Sequence, residues 1–315
     1  MGQASAPPRR LLVIYNPTAG RRKRQRLAAW LMRLNALGAA TTLAETTGPR
    51  HAEALAGAAD PAQFDAVAVA GGDGTINEAA NGLRHSSLPL ALLPLGTANV
   101  LAGEIGLPRD LDRLAEIAAF APARPIWPGE AVAAGAESGR LFLVMAGIGF
   151  DAEVVERLDL ALKRRLGKLA YVAGIAGCLR DYRPSFYRAL LDGTPVEAAS
   201  LVAAKAHFYG GRFVLAPAAR LTDPSLQVAL FERAGRGAAL LYMTAMALNL
   251  MPRCPAFRVV PARRIDLIEP AGAAVQIDGD VALRLPVSLR IAARPLALIQ
   301  PALPAAFRES APAAP

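Results

Sequence analysis

Five consecutive residues, Gly71-Gly72-Asp73-Gly74-Thr75, have the types and spacing that phosphate chemistry requires. Three glycines let backbone N–H groups approach a phosphate closely, and a helix that begins near Thr75 adds the positive end of its dipole. Asp73 has no apolar role in such a turn and could bind Mg²⁺ or a sugar hydroxyl. The alternative interpretation is a tight strand-to-helix turn in which Asp73 caps the helix.

Two further polar turns follow strands of the same kind. One is Asn16-Pro17-Thr18-Ala19-Gly20, and the other is Leu95-Gly96-Thr97-Ala98-Asn99. Turns at the carboxyl ends of parallel strands meet in one crevice, which is where open α/β sheets bind their ligands. None of these turns is a GxxxxGK[ST] loop, and the first turn lacks the GxGxxG fingerprint. We therefore disfavour a P-loop NTPase and a dinucleotide-binding enzyme.

The elements that carry these turns repeat a pattern of strand, turn and helix. Four short runs are predicted strands, and the first of them is fully apolar, the pattern of a strand buried on both faces. These runs are Leu11–Tyr15, Thr41–Ala44, Ala66–Ala70 and Leu90–Leu93. A helical pattern follows each of them; the first closes at Gly38 and the second lies near His51–Ala58. The repetition predicts a parallel α/β layer with right-handed crossovers.

Beyond a proline-rich connector at Ala121–Gly129, the pattern becomes that of antiparallel strands. Phe186–Leu191 and Val196–Ala204 flank Asp192-Gly193, which predicts a hairpin with a two-residue turn. The other predicted strands are Leu141–Ala146, Leu226–Phe231, Ile265–Ile268, Val275–Ile277 and Val287–Ile291. The other predicted helices are Leu160–Arg180 and Gly237–Leu250.

The chain is therefore predicted to be an α/β protein of two domains. An N-terminal Rossmann-like parallel α/β domain is expected over 9–125, and a C-terminal, mostly antiparallel β-sandwich domain over 126–294. The segment 295–308 is predicted to return to the first domain, since Leu296–Ile299 is one more apolar run. The Pro/Ala-rich ends, 1–8 and 309–315, are expected to be flexible tails.

The charge balance indicates an anionic partner. The 315 residues carry 35 Lys and Arg against 26 Asp and Glu, and +7 of the net +9 lies beyond Glu130. Acidic lipid, phosphates and nucleic acid all satisfy this balance. Aromatic residues make up only 6% and do not interleave with the basic clusters, which disfavours nucleic acid.

Cysteine, histidine and hydropathy patterns exclude other classes of protein. The two cysteines rule out a disulfide framework, and the three histidines disfavour a His-rich metal site. The clearly helical apolar stretch 237–251 is shorter than the roughly 20 residues of a spanning helix. We therefore expect a cytoplasmic protein that at most associates peripherally with a membrane surface.

Two basic clusters and one apolar helix have more than one interpretation. Arg21–Arg26 places five cations at a helix N-terminus, where they oppose the dipole, and this favours an anion-facing role over a solvated face. The same two roles are weighed equally for Lys163-Arg164-Arg165 with Lys168. Gly237–Met251 is apolar on most faces, which favours a buried core helix over a lipid-binding one.

The sequence resembles the diacylglycerol kinase catalytic-domain family, the bacterial lipid kinases related to sphingosine and ceramide kinases. The order and spacing of the family's motifs hold from about Leu11 to Pro301. The motifs are Asn16-Pro17-x-Ala19-Gly20, Gly71-Gly72-Asp73-Gly74-Thr75-Ile76-Asn77-Glu78, Leu93-Pro94-Leu95-Gly96-Thr97-Ala98-Asn99, Gly147-Ile148-Gly149-Phe150-Asp151-Ala152, Gly167-Lys168-Leu169-Ala170-Tyr171 and Asp278-Gly279-Asp280. NAD kinases and phosphofructokinases share the Gly-Gly-Asp-Gly loop, but the third and the last motif separate this family from both.

This resemblance implies an ATP- and Mg²⁺-dependent kinase that phosphorylates a hydroxyl of diacylglycerol or a related membrane lipid at the inner face of the membrane. The lipid headgroup would enter a cleft between the domains. Asp73 would serve the nucleotide and Mg²⁺ site, and Asp280 would be the general base that accepts the proton of the lipid hydroxyl. The nucleotide-binding residues that the resemblance implies are Asn16, Pro17, Gly20, Gly71, Gly72, Asp73, Gly74, Thr75, Gly96, Thr97 and Asn99.

Three positions depart from the family's pattern. Val100 stands where the family usually has Asp, and Asp280 is one methylene shorter than the usual Glu. Asp223-Pro224 replaces an Asp-Gly pair at which some relatives hold a structural Mg²⁺, so Asp223 is a second candidate metal ligand. A non-catalytic nucleotide- or lipid-binding relative therefore remains an open alternative. A soluble-substrate kinase of the NAD kinase type, which shares the Gly-Gly-Asp-Gly loop, is a second one. A homodimer is also left open.

Overall fold

The computed structural model describes residues 7–17, 21–157, 185–211 and 213–301. In these ranges helices and strands alternate as far as Phe120, and strands dominate after it. The helices are α1 (Arg21–Ala36), α2 (His51–Gly57), α3 (Asp73–Gly82), α4 (Val100–Glu104), α5 (Leu111–Phe120), α6 (Phe150–Arg157) and α7 (Arg236–Ala247). Among the described residues, no helix is both long and apolar enough to span a membrane.

Six strands form a sheet in the N-terminal half. They are β1 (Arg10–Tyr15), β2 (Ala40–Glu45), β3 (Ala66–Gly71), β4 (Leu90–Pro94), β5 (Ala123–Ile126) and β20 (Leu296–Ile299). Their order is β2-β1-β3-β4-β20-β5. Strands β1 to β4 run parallel, β20 joins β4 in parallel, and β5 closes the edge antiparallel to β20. The last apolar run of the chain therefore lies in the first sheet.

Helices cover both faces of this sheet because β1, β3 and β4 carry apolar side chains on both faces. Successive side chains of a strand point to opposite faces. Val13 accordingly packs with Trp30 of α1 and Leu114 of α5, whereas Ile14 packs with Ile76 of α3. This arrangement leaves the carboxyl ends of β1, β3 and β4 as the open edge where the polar turns lie.

The C-terminal half contains two six-stranded antiparallel sheets. The first, in the order β10-β9-β16-β19-β6-β7, consists of β6 (Gly129–Ala133), β7 (Arg140–Phe142), β9 (Tyr187–Leu191), β10 (Thr194–Ala198), β16 (Arg264–Glu269) and β19 (Val287–Ile291). The second, in the order β15-β14-β11-β8-β17-β18, consists of β8 (Met145–Gly149), β11 (Ser200–Ala204), β14 (Leu226–Phe231), β15 (Phe257–Ala262), β17 (Ala274–Ile277) and β18 (Asp280–Arg284). A short ribbon joins β12 (Phe208–Tyr209) to β13 (Phe213–Val214). The core between the two sheets includes Ile148, Leu230, Ile265 and Leu289. The predicted fold class is confirmed.

Two predicted strands are wrong because the chain changes sheets within them. Val196–Ala204 is interrupted at Ala199, whose N–H donates to the carbonyl of Phe231 at 2.8 Å while the chain passes from β10 to β11. Leu141–Ala146 is interrupted at Leu143 and Val144, whose N–H groups donate to a side chain of the site described below. Neither crossing contains a glycine or proline that would mark it in the sequence, and both sheets share one core.

The proline-rich connector predicted at 121–129 contains strand β5, which the sequence pattern did not indicate. Pro125 cannot donate a backbone hydrogen bond, and β5 accommodates it because the strand lies at the edge of the sheet. The hairpin turn at Asp192-Gly193 is as predicted: both residues have positive φ, 47° and 86°, the backbone of a type I′ turn.

Candidate active site

The three predicted turns meet at the open edge of the first sheet. The side-chain amide of Asn16, at the end of β1, donates to the hydroxyl of Thr75 at 3.1 Å. The backbone N–H of Leu95, after β4, donates to the carbonyl of Gly71 at 2.8 Å. Pro17 and Thr97 are exposed at the same edge. The described parts of these turns thus form one continuous rim, as their places at the strand ends predict.

Gly72 and Gly96 let two of these loops touch through their backbones. A Cβ atom added to Gly96 would lie 2.7 Å from the Cα of Gly72 and 2.6 Å from Oδ1 of Asn99. The Asn99 side chain holds the 96–99 loop in this shape: Oδ1 accepts from the N–H of Gly96 at 2.7 Å, and Nδ2 donates to its carbonyl at 2.9 Å. Any side chain at either glycine would push the loops apart.

Asp73 links the β3 loop to the start of α4. It is the first residue of α3, whose N-cap is Gly72, so Asp73 does not cap its own helix. Its Oδ1 accepts from the N–H of Leu101 at 3.3 Å. Burial raises the pKa of Asp73, while backbone N–H groups at residues 99–101 act in the opposite direction. The half-buried carboxylate therefore has a structural role beside any role in binding. Val100, where the family usually has a carboxylate, is buried at the start of α4.

Asp280 reaches this rim from the other domain. It opens β18 immediately after a two-residue turn, Asp278-Gly279, whose φ values of 47° and 90° make a type I′ hairpin with β17. The Asp280 side chain is exposed, and a Cβ atom added to Gly74 would lie 3.3 Å from its Oδ2. A carboxylate of the β domain thus stands directly over the glycine loop of the α/β domain.

Asp278, two residues earlier, has a different environment. Its carboxylate accepts from the backbone N–H groups of Leu143, Val144 and Met145 at 2.8, 2.9 and 2.9 Å. It also accepts from Nδ2 of Asn77, on α3, at 2.8 Å. Burial raises the pKa of Asp278, and these donors oppose the shift. With both oxygens engaged, Asp278 locks the hairpin to both domains and is unsuited to accept a substrate proton.

Three residues that support the hairpin have no assigned role in the sequence analysis. Asn77 is 2% exposed and also donates to the carbonyl of Leu141 at 2.8 Å. Gln276 accepts from the N–H of Gly279 at 2.9 Å and donates to Asp151 at 2.7 Å. Tyr209 donates from its hydroxyl to the Asp151 carboxylate as well. Burial raises the pKa of Asp151, and these two donors oppose the shift. The sequence did contain a signal for this hairpin. Asp278-Gly279 lies between two apolar runs, as Asp192-Gly193 does in the hairpin that was predicted.

The loop that carries Asp223 is organised around a lysine. Lys205, 1% exposed, donates from Nζ to the carbonyls of Arg220 at 3.1 Å, Ser225 at 3.0 Å and Asp223. Burial lowers the pKa of its ammonium to about 8, and Asp223 opposes the shift. Among the described residues, no group of three or more His, Cys, Asp or Glu could hold a metal. The carbonyls that would complete a Mg²⁺ site at Asp223 are bonded to Lys205, so the residues present do not fit a metal there.

We expect Lys205→Met to lower the free energy of unfolding by about 2–4 kcal/mol, since it leaves three carbonyls of a folded loop without their donor. Thermal denaturation of the nucleotide-free protein measures the change. Asp223→Asn, at an exposed side chain, is the matched control and should melt like the wild type, with or without EDTA. If EDTA and Asp223→Asn both lowered the melting temperature while Lys205→Met did not, the loop would depend on a metal.

Several predicted features lie outside the described residues: Gly20, the 167–171 motif, the basic cluster at 163–168, the helix at 160–180 and Cys178. The first basic cluster opens α1. There Arg24 pairs with Glu45 at 3.0 Å, and Arg26 donates to the carbonyl of Arg109 at 2.7 Å. Burial lowers the pKa of Lys23. Two of the cations therefore have partners within the protein.

Comparison with known proteins agrees with this architecture. The family model described as "Diacylglycerol kinase catalytic domain" matches residues 10–131. The model described as "YegS C-terminal NAD kinase beta sandwich-like domain" matches residues 144–300. The two matches cover the parallel α/β half and the antiparallel β half in turn.

Relatives match over most of the chain. A diacylglycerol kinase of Bacillus subtilis (strain 168) is 32% identical over 247 residues, which are 76% of this chain and 79% of that protein. A diacylglycerol kinase of Mycobacterium tuberculosis (strain ATCC 25618 / H37Rv) is 28% identical over 75% of this chain and 77% of its own. The crystal structure of a diacylglycerol kinase from Bacillus anthracis str. Sterne has the same fold, with a TM-score of 0.71 at 22% identity over 93% of this chain and 97% of that chain. The chain belongs to the diacylglycerol kinase catalytic-domain family.

Proposed function

We propose that this protein is an ATP- and Mg²⁺-dependent lipid kinase that phosphorylates a hydroxyl of diacylglycerol or a related membrane lipid. The observation that carries the proposal is the position of Asp280 over Gly74, which brings an exposed carboxylate to the glycine loop. Phosphoryl transfer asks a protein mainly to position its reactants, neutralise charge and orient the nucleophile. A glycine rim beside an exposed carboxylate of the second domain supplies the parts for all three tasks.

The nucleotide half of the site consists of the rim residues. The backbone contact between Gly72 and Gly96 leaves the loop edges free of side chains, and Asn16 and Asn99 fix two of the loops. Mg²⁺ commonly uses one or two carboxylates together with substrate phosphates, and Asp73 fits that donor set. When bound, Mg·ATP would supply the phosphoryl group and part of the charge neutralisation. The protein contributes backbone N–H groups and the first turn of α3.

Asp280 is the group that we assign to the acceptor hydroxyl. A neutral alcohol becomes a better nucleophile when a positioned carboxylate accepts its proton. Asp280 suits this task because it is exposed, whereas Asp278 is engaged by four N–H donors. Asp278 and Gln276 act as positioning residues, since they fix the turn from which the Asp280 side chain projects. The relatives' names, which refer to diacylglycerol, support a lipid hydroxyl as acceptor.

We expect ATP turnover to rise when lipid is added and to stay at its basal rate with soluble acceptors. The measurement compares ADP release with lipid micelles, NAD and simple sugars, each at saturating Mg·ATP. The proposed function predicts that ADP release is stimulated by lipid and by neither of the soluble acceptors. Stimulation by NAD would support the NAD kinase alternative. ATP binding with no turnover under any condition would support a non-catalytic relative.

A further inference from the structure

Exposed apolar side chains concentrate around one helix. Nine large hydrophobic side chains are exposed in the part of the chain that the structure describes, and six of them lie on or beside α7. The six are Phe186, Phe213, Leu240, Leu241, Leu248 and Leu250. Leu240 is 57% exposed and Leu248 is 62% exposed. Contiguous exposed apolar surface of this kind marks an interaction site more often than chance.

Helix α7 is apolar on two faces, of which the protein covers one. Its inner face packs Tyr242 and Ala245 with Met251 against Phe231 and Phe257. The other face presents the leucines at 240, 241 and 248, which fall in one stripe at helical spacing. A helix that faces water usually carries charged or polar residues there. The sequence predicted a buried core helix, and only one side of α7 is buried.

Arginines flank the exposed stripe at both ends. Residues 233–256 contain Arg233, Arg236 and Arg253 and no Asp or Glu. All three arginines are exposed. An apolar stripe between cations fits a surface that is apolar inside and anionic at its edge, which describes a bilayer with acidic headgroups. A second copy of this chain fits less well, because antiparallel pairing of two such helices would set arginines against arginines.

The face connects to the candidate active site through a short series of contacts. Asn249, just after α7, accepts from the backbone N–H of Val214 in the β12–β13 ribbon at 3.0 Å. Before that ribbon, the N–H of His207 donates to Glu104 of α4 at 3.0 Å. The N-cap of α4 is Asn99, which belongs to the nucleotide rim. A short series of contacts therefore links this face to the nucleotide rim.

We propose that the outer face of α7, together with Phe213 and Leu250, docks the protein onto an anionic lipid bilayer, with the flanking arginines at headgroup level. This inference rests on the proposed lipid acceptor, since it says how the cleft reaches a substrate that stays in the membrane. Docking by this face would insert leucine side chains below the headgroups while the cleft remains at the interface. Burial of the leucine side chains sets how deeply the protein inserts into the bilayer, and the arginines select acidic lipid.

The test is flotation of the full-length protein with phosphatidylcholine vesicles, with and without phosphatidylglycerol. The double variant Leu240→Ser/Leu248→Ser removes the two most exposed leucines of this face. It should lower the vesicle partition constant about tenfold or more, because neither position then buries a leucine in the bilayer. Met32→Ser on α1, at 66% exposure, is the matched control and should bind like the wild type. Raised salt should weaken wild-type binding to the acidic vesicles.

Kinase assays separate this proposal from the proposed function. The double variant should keep its activity on a short-chain, water-soluble diacylglycerol and lose it on a long-chain diacylglycerol embedded in vesicles. If neither protein phosphorylates any lipid but their flotation differs, docking stands and the proposed function fails. Equal flotation of the double variant and the wild type would overturn the docking face. So would a change from dimer to monomer in the variant with unchanged flotation, which would assign the face to a second copy.

Discussion

Asp280→Asn is expected to lower kcat by roughly 10²–10⁴, the usual contribution of positioned proton transfer. The amide keeps the shape of the side chain but cannot accept the proton of the acceptor hydroxyl. ATP affinity should change little, because Asp280 belongs to the β domain and only approaches the rim at Gly74. Steady-state kinetics with lipid micelles and equilibrium ATP binding measure the two quantities separately.

Asp280→Glu is the informative companion variant. Relatives usually carry Glu at this position, and the exposed side chain has room for one more methylene, so we expect part of the activity to remain. The competing idea is that Asp280 only ties the domains together. In that case Asn, which keeps most hydrogen bonds, would turn over lipid within a few-fold of the wild type, and the base would lie elsewhere.

Asp278→Ala should instead act on stability. It would leave three backbone N–H groups and the amide of Asn77 without their acceptor, at the point where the two domains meet. Buried donors without partners each cost about 1–3 kcal/mol, and partial rehydration reduces the sum, so we expect a loss of about 3–5 kcal/mol. Denaturant unfolding measures the change.

Asp278→Asn should have an intermediate effect, because the amide has one acceptor oxygen in place of two and places an NH₂ group against backbone N–H groups. Asp280→Asn is the matched control within the same motif and should unfold like the wild type. Wild-type stability in Asp278→Ala would show that the hairpin does not depend on this carboxylate. It would also reopen Asp278 as a candidate base.

The repeating strand–turn–helix half was predictable because its signals are local. Strand β1, the glycine turn after β3 and the closing of α1 before Gly38 each follow from a few neighbouring residues. The β half was less predictable, since two of its predicted strands change sheets with no glycine or proline to mark the crossing. Asp278-Gly279 had a local hairpin signal, but its function as a lock depends on N–H groups more than a hundred residues away.

The candidate site divides in the same way. That the three turns would share one edge follows from parallel strands, and the contact between Gly72 and Gly96 is the close approach that glycines allow. The bond from Asp73 to the start of α4 was not predictable from the sequence, because it forms only in the fold. Lys205 gave no signal beyond a single cation in an apolar run, so its three carbonyl partners required the structure.

The most direct test of the proposed activity is transfer of label from γ-³²P-ATP to a total bacterial lipid extract, with the product identified by mass spectrometry. The proposed function predicts a labelled lipid in the organic phase, carrying one added phosphate on a former hydroxyl. Asp280→Asn should give the same product at a rate lower by at least about a hundredfold. Label that appears only as inorganic phosphate or on a water-soluble acceptor, with none in the lipid phase, would contradict a lipid kinase.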